Sequence, residues 1–195
     1  EWYNSYTLFN TFGGAVQILS MMILLPLLRK VMGVTKLAKL CFGMFIVGYL
    51  SLLGICFTGM KEIVMLLIPG FFIFAANGIM TVLTTVFLAN TVDYGELKNG
   101  RRDESVIFSM QTFVVKLASG VSAFIASLCL SIFKISENTE SAAAVAASSV
   151  IGLRMTMTVL PVIGIVAAII VFAKKFALTE DKVEQIAEEL KEKHR

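Results

Sequence analysis

The chain is poor in charge and in the residues on which most enzyme sites are built. Only 16% of its 195 residues are Asp, Glu, Lys or Arg, against about 25% in an ordinary soluble domain. It holds a single histidine, His194, which stands in a charged tail. Cys41, Cys56 and Cys129 are isolated in apolar stretches. Neither CxxC nor zinc-ligand spacing occurs, so they read as packing residues and no metal or cofactor site is expected. A Gly-rich phosphate loop, an H-E-x-x-H pair and a G-x-S-x-G elbow are all missing, so no familiar enzyme is predicted. The net charge of +3 is not a nucleic-acid footprint, because the cations are dispersed over short segments between apolar runs.

What the chain has is grease. Hydrophobic residues make up 57% of it, and the mean hydropathy is +0.82. Several runs reach the roughly 20 residues that cross a bilayer as a helix. Five spans are predicted, at about 6–28, 37–57, 62–92, 104–133 and 149–172. The fold class is therefore all-α, a polytopic membrane helix bundle over residues 1–175, in contact with membrane lipid. Pro69 and Pro161 fall inside spans, where neighbouring helices can satisfy the freed backbone groups.

Lys and Arg set the orientation. Arg29, Lys30, Lys36 and Lys39 follow the first span, Lys98, Arg101 and Arg102 the third, and Lys174 and Lys175 the fifth. The intervening loops offer only Lys61 and Lys134. Positive-inside predicts a multi-pass protein of the cell membrane with its N-terminus outside and its C-terminus in the cytoplasm. A chain starting at Glu1 without a signal peptide, with an odd number of spans, is then expected to be part of a longer protein. Residues 176–195 differ in kind. Val183, Ile186, Ala187 and Leu190 recur at helical spacing, with Thr179, Glu180 and Asp181 suited to the helix start. An amphipathic cytoplasmic tail helix is predicted.

Lys116 lies about 18 Å into the fourth span. A lysine at that depth costs roughly 2.5–3.5 kcal/mol on insertion scales, and such residues face a bundle interior or an aqueous cavity. On an ideal helix Ser105, Ser109, Thr112, Ser119, Gly120, Ala123 and Ser127 share its face, while Ile107, Val114 and Ile125 lie opposite. This face reads either as a polar pocket for a solute or as a packing seam whose lysine pairs with an acid on another helix. Asn77, Thr81, Thr84 and Thr85 make a weaker stripe on the third span, and Tyr6, Asn10, Gly13, Gln17 and Ser20 one on the first. Three stripes together favour a shared hydrophilic cavity.

The segment DYGELKNGRRDES gathers Asp93, Glu96, Lys98, Arg101, Arg102, Asp103 and Glu104 around an Asn99-Gly100 turn. It reads either as a solvated loop or as ion pairs that form and break as one bundle moves against another.

DYGELKNGRRDES followed by QTFVVKLASG resembles the glycoside–pentoside–hexuronide:cation symporters, the melibiose-permease type within the major facilitator superfamily. The match rests on Asp93, Tyr94, Gly95, Glu96, Arg102, Glu104, Ser105, Gln111, Thr112 and Lys116. GLRMTMTVLP, with Arg154 and Pro161, is similar to the family's last helix. The resemblance covers essentially the whole chain. It implies helices eight to twelve of a twelve-helix carrier whose N-terminal half is the missing partner. It implies a sugar or glycoside as substrate and Na⁺ or H⁺ as coupling cation, with the cation-binding aspartates in that other half.

By the same resemblance Lys116, Thr112, Gln111 and Thr81 would line the sugar path. Gln111 projects about 140° from Lys116 on an ideal helix. Asp93, Glu96, Arg102, Glu104 and Arg101 would form a cytoplasmic gate of ion pairs. Two positions depart from the family pattern. Asn90 replaces an acid, and TVLTTVF carries threonines where an aromatic often lines the pocket. Two other readings stay open: a carrier of this fold for a lipid, drug or organic anion, and a non-transporting membrane scaffold or sensor.

Overall fold

The computed structural model describes residues 2–58, 63–133, 147–176 and 178–193. Lys61, Lys134, His194 and the predicted start of the third span at residue 62 lie outside them. Within the described residues the chain is helical throughout, as the composition requires: α1 (Trp2–Leu19), a π-helical turn (Ser20–Leu24), α2 (Leu25–Arg29), α3 (Val34–Thr58), α4 (Ile63–Asn99), α5 (Glu104–Ile132), α6 (Ala147–Lys175) and α7 (Glu180–Lys193). Among the described residues five segments are long and apolar enough to cross a membrane: Tyr6–Arg29, Val34–Ile55, Val64–Asn99, Glu104–Ile132 and Ser149–Lys175.

The first crossing runs unbroken from α1 into α2, with its hydrogen-bond register shifted midway. Leu25 N–H donates to Ser20 O, five residues back. Pro26 follows immediately. It has no N–H to offer Met22, and its ring would crowd the carbonyl there. The helix absorbs the defect by widening one turn into a π-bulge.

α4 is the hub of the bundle. Ala76, Ile79 and Leu83 on one of its faces are fully buried with Leu37, Ala38 and Cys41 of α3 and Leu25 of α2. α1 approaches the same helix closely, at Gly78. A Cβ there would stand 2.5 Å from the backbone oxygen of Gln17. A little further along, Gly13 of α1 sits against the end of the Phe74 ring, which a Cβ there would meet at 2.5 Å. Small residues that let two backbones approach are how helices associate where lipid removes the hydrophobic drive. At the other side of α4, Phe42, Phe87, Phe172 and Phe176 bring α3, α4 and α6 together. The tightest of these pairs, Phe172 and Phe176, stacks at 4.5 Å.

α4 runs on past the expected end of its span. The third span was expected to end at residue 92, yet the helix continues to Asn99. Nothing between Thr91 and Asn99 breaks a helix except Gly95, which costs only about 1 kcal/mol. The acids Asp93 and Glu96 therefore sit on helix. The turn itself is short, Gly100 to Asp103, and Gly100 supplies a φ of +72°. Only glycine adopts that left-handed conformation at low cost, and Gly100 N–H closes the helix by donating to Glu96 O at 2.9 Å.

Candidate functional site

α5 touches the rest of the bundle on one side only. Cys129 is its single buried residue among those described, and Ile107, Phe108, Gln111, Ile125 and Ala126 are half-buried. All of these lie about 80° or more from Lys116 around the helix. Ser105, Ser109, Thr112, Lys116, Ser119, Gly120, Ala123 and Ser127 are exposed. The polar face is thus turned away from α4 and α6, toward the open side of the bundle. Its hydroxyls are satisfied by their own helix: Thr112 Oγ1 donates to Phe108 O at 3.0 Å and Ser119 Oγ to Val115 O at 2.9 Å. Among the described residues no carboxylate pairs with Lys116, so the packing-seam reading finds no partner acid among them. Gln111 is half-buried, about 140° around the helix from Lys116, and does not join Thr112 on the polar face.

The stripe on α4 is open too. Asn77, Thr81, Thr84 and Thr85 are exposed while Ala76, Ile79 and Leu83 behind them are buried. Thr81 Oγ1 donates to Asn77 O at 2.8 Å and Thr84 Oγ1 to Met80 O at 2.8 Å. These bonds leave each hydroxyl oxygen free to accept from a ligand. The stripe on the first span divides. Tyr6 and Asn10 are exposed, but Gly13 and Ser20 are buried and Gln17 is half-buried. The lower part of that stripe is a packing seam with α4, not cavity wall, because small residues there let the two helices meet.

The charged turn is organised by one guanidinium. Arg102 Nη1 donates to Glu96 Oε2 at 2.9 Å and to Asp93 Oδ1 at 3.0 Å, and its Nε donates to Glu104 Oε2 at 3.3 Å. Asp93 and Glu96 are three apart on α4 and so share a face. Glu104 opens α5. One side chain therefore joins the end of one long helix to the start of the next. The hydrogen bonds that Arg102 donates to Glu96, Glu104 and Asp93, in that order, hold it above the ordinary arginine range, against an opposing effect of desolvation. Arg101 does not join this group; its Nε pairs with Asp103 at 2.7 Å. Lys98 leans over the Tyr94 ring, 5.9 Å from its centre. Three carboxylates around one guanidinium leave a local excess of negative charge.

A family model described as MFS/sugar transport protein matches residues 2–180. The chain belongs to that family. Among curated proteins, the lactose permease of Lactobacillus delbrueckii subsp. bulgaricus is 26% identical over 185 residues, covering 95% of this chain and 28% of that protein. An uncharacterized symporter of Bacillus subtilis is 27% identical over 171 residues, covering 88% of this chain and 36% of its own length. The raffinose carrier protein of Pediococcus pentosaceus is 28% identical over 109 residues, or 56% of this chain and 17% of that protein. The chain spans about a third or less of the length of these relatives.

As a member of that family with five helices long and apolar enough to cross a membrane among its described residues, it is a multi-pass membrane protein. One contact in it has no counterpart in the sequence-based expectations. Glu180, expected to serve the start of its own helix, has its carboxylate at the start of α3, where Val34 N–H donates to Oε1. The negative charge in the tail was visible; the helix end that it serves was not.

Proposed function

We propose that this chain is the C-terminal part of a secondary transporter that carries a sugar or glycoside together with Na⁺ or H⁺. The observation that carries the reading is the polar face of α5, centred on Lys116 and turned to the open side of the bundle. A second wall supplied by an N-terminal half would convert that face and the threonines of α4 into an aqueous pathway. The names of the relatives, lactose permease and raffinose carrier, support a sugar as the solute.

In this reading the five crossings correspond to helices eight to twelve, and the end bearing the Arg102 turn and α7 faces the cytoplasm. Lys116 and Thr112, with Thr81 from α4, hydrogen-bond sugar hydroxyls, and Gln111 supports the helix from behind. Lys116 also senses the charge of the cation site across the cavity. Occupation by a cation relieves that site of negative charge, favours sugar binding and lets the loaded carrier rock inward. The carboxylate excess around Arg102 is offered to basic groups of the N-terminal half. Asp93, Glu96 and Glu104 then exchange partners between Arg102 and that half as the gate closes and opens, with Arg101 at the rim.

The test is uptake by the whole protein in liposomes, with labelled galactosides, xylosides and glucuronides, each with and without a Na⁺ or proton gradient. Gradient-dependent accumulation of one of them is expected. Folded, inserted protein that accumulates none of them under either gradient would overturn the reading and favour a lipid, drug or organic-anion carrier of the same fold.

A further inference from the structure

α7 lies across the end of the bundle and is held at both of its ends. Toward its C-terminus, Ile186 and Leu190 are buried, 8% and 9% exposed. Ile186, Gln185 and Lys182 share one groove with Thr91 and Tyr94 of α4. A second groove on the other flank of α7 brings Glu184 and Ala187 beside Val86 and Asn90 of α4. At the N-terminus of α7 the Glu180 carboxylate accepts from Val34 N–H, the first residue of α3. That N–H is one of the four that an α-helix leaves unpaired, at the end where its dipole favours negative charge.

Two further features fit this contact. Gly33 precedes Val34, and a Cβ built on it would fall inside the Glu180 carboxylate. The carboxylate therefore seats only because position 33 has no side chain. Arg29, at the end of α2, lines the same groove as Glu180, Asp181 and Glu184, so a cation faces the acidic start of the tail.

The place where α7 docks gives it a role. Thr91 and Tyr94, which line the tail groove, alternate along α4 with Asp93 and Glu96, which hold Arg102. One and a half turns of α4 thus have the tail on one face and the Arg102 turn on another. We infer that α7 is a clasp, locked by Glu180 on the start of α3, which fixes the end of α4 that presents Asp93 and Glu96. Glu180 is a positioning residue in this device. The inference is independent of which solute is carried.

The test uses the whole protein in nanodiscs and reads the rate of tryptic cleavage at individual sites by mass spectrometry. The variants are Glu180→Ala and Gly33→Ala, the second leaving the tail sequence untouched. Cleavage after Lys191 reports release of the tail, and cleavage after Arg101 reports loosening of the α4 end. Both variants are expected to be cut after Lys191 about tenfold faster than the parent, the scale of losing a charge-assisted hydrogen bond when opening is faster than cleavage. Cleavage after Arg101 rises with it. Glu188→Ala, on the exposed face of α7, behaves as the parent. Cleavage after Lys36 stays slow in a released tail and rises only when a variant unfolds, so Glu180→Ala decides the matter should Gly33→Ala fail to fold. Parental rates at Lys191 in folded Glu180→Ala would overturn the clasp. A released tail with Arg101 cleaved at the parental rate would overturn its hold on α4.

Discussion

The closest helix–helix approach described above gives the most direct test of the fold. In Gly78→Ala the new methyl would begin 2.5 Å from Gln17 O, a backbone atom that no side-chain rotation can move. An ordinary carbon–oxygen contact is about 3.3 Å or more, so α1 must retreat from α4 by nearly an ångström. Overpacking of this kind costs about 1–3 kcal/mol. Alanine also returns up to about 1 kcal/mol of helix propensity over glycine, which leaves a net loss of about 0–2 kcal/mol. The control is Gly120→Ala on α5, where a Cβ meets nothing within 4 Å. There the propensity gain stands alone. The two variants should therefore differ by about 1–3 kcal/mol, although each removes one glycine from one helix interior. At about 2–4 °C per kcal/mol, the thermal midpoint of Gly78→Ala should fall several degrees below that of Gly120→Ala. Monodisperse protein remaining after heating, measured by size-exclusion chromatography, gives that midpoint. Equal midpoints would refute the close approach.

Lys116→Ala should lower gradient-driven accumulation of the transported sugar at least about tenfold, a 1.4 kcal/mol effect, while the thermal midpoint stays near the parent's; full retention of accumulation would remove the lysine from the pathway. Arg102 is a group whose folded-state pKa is raised, so its contribution is complete below the ordinary arginine value and lost only above the raised one. Raising the pH from about 7 to 10, a range lying wholly below both, should leave hydrogen-exchange protection in the α4–α5 turn unchanged after correction for the intrinsic exchange rate, whereas Arg102→Gln should reduce that protection even at neutral pH. Gly100→Ala places a side chain at φ +72°, a strain of about 1–2 kcal/mol. Faster tryptic cleavage after Lys98 and Arg101 should report it, with Gly100→Asn cut at an intermediate rate.

Hydropathy was enough to find the five crossings, because a run of apolar residues long enough for a bilayer has few other fates. The end of α4 was harder to read. Asp93, Glu96 and Lys98 mark where apolar character stops, which set the span's expected end but not the helix's, since a helix continues into water until a residue such as Gly100 turns it. The faces of α5 were legible from 100° steps alone, Gln111 included. That its polar face points to the open side was not, since that depends on which neighbours cover Ile107, Ile125 and Cys129. The stripe on α1 was misassigned in part for the same reason, as Gly13 looks the same whether it lines water or a phenylalanine ring. Glu180 shows the limit most plainly. Its target is 146 positions away in the chain, and no local pattern encodes a contact at that separation.

The length of α4 has a mechanical consequence. Its 37 residues extend about 55 Å, far beyond the roughly 30 Å of a hydrocarbon core. Gly78, where α1 presses against it, is 18 residues from Glu96 by sequence number, about 27 Å along the axis. The helix is thus a lever with its fulcrum in mid-bundle and Asp93 and Glu96 near its tip. A swing of about 10°, modest beside the tilts seen among membrane helices, would sweep that tip through about 5 Å. The Arg102–Glu96 contact, 2.9 Å long, lies at that tip, so the charged turn travels with the stroke as one piece.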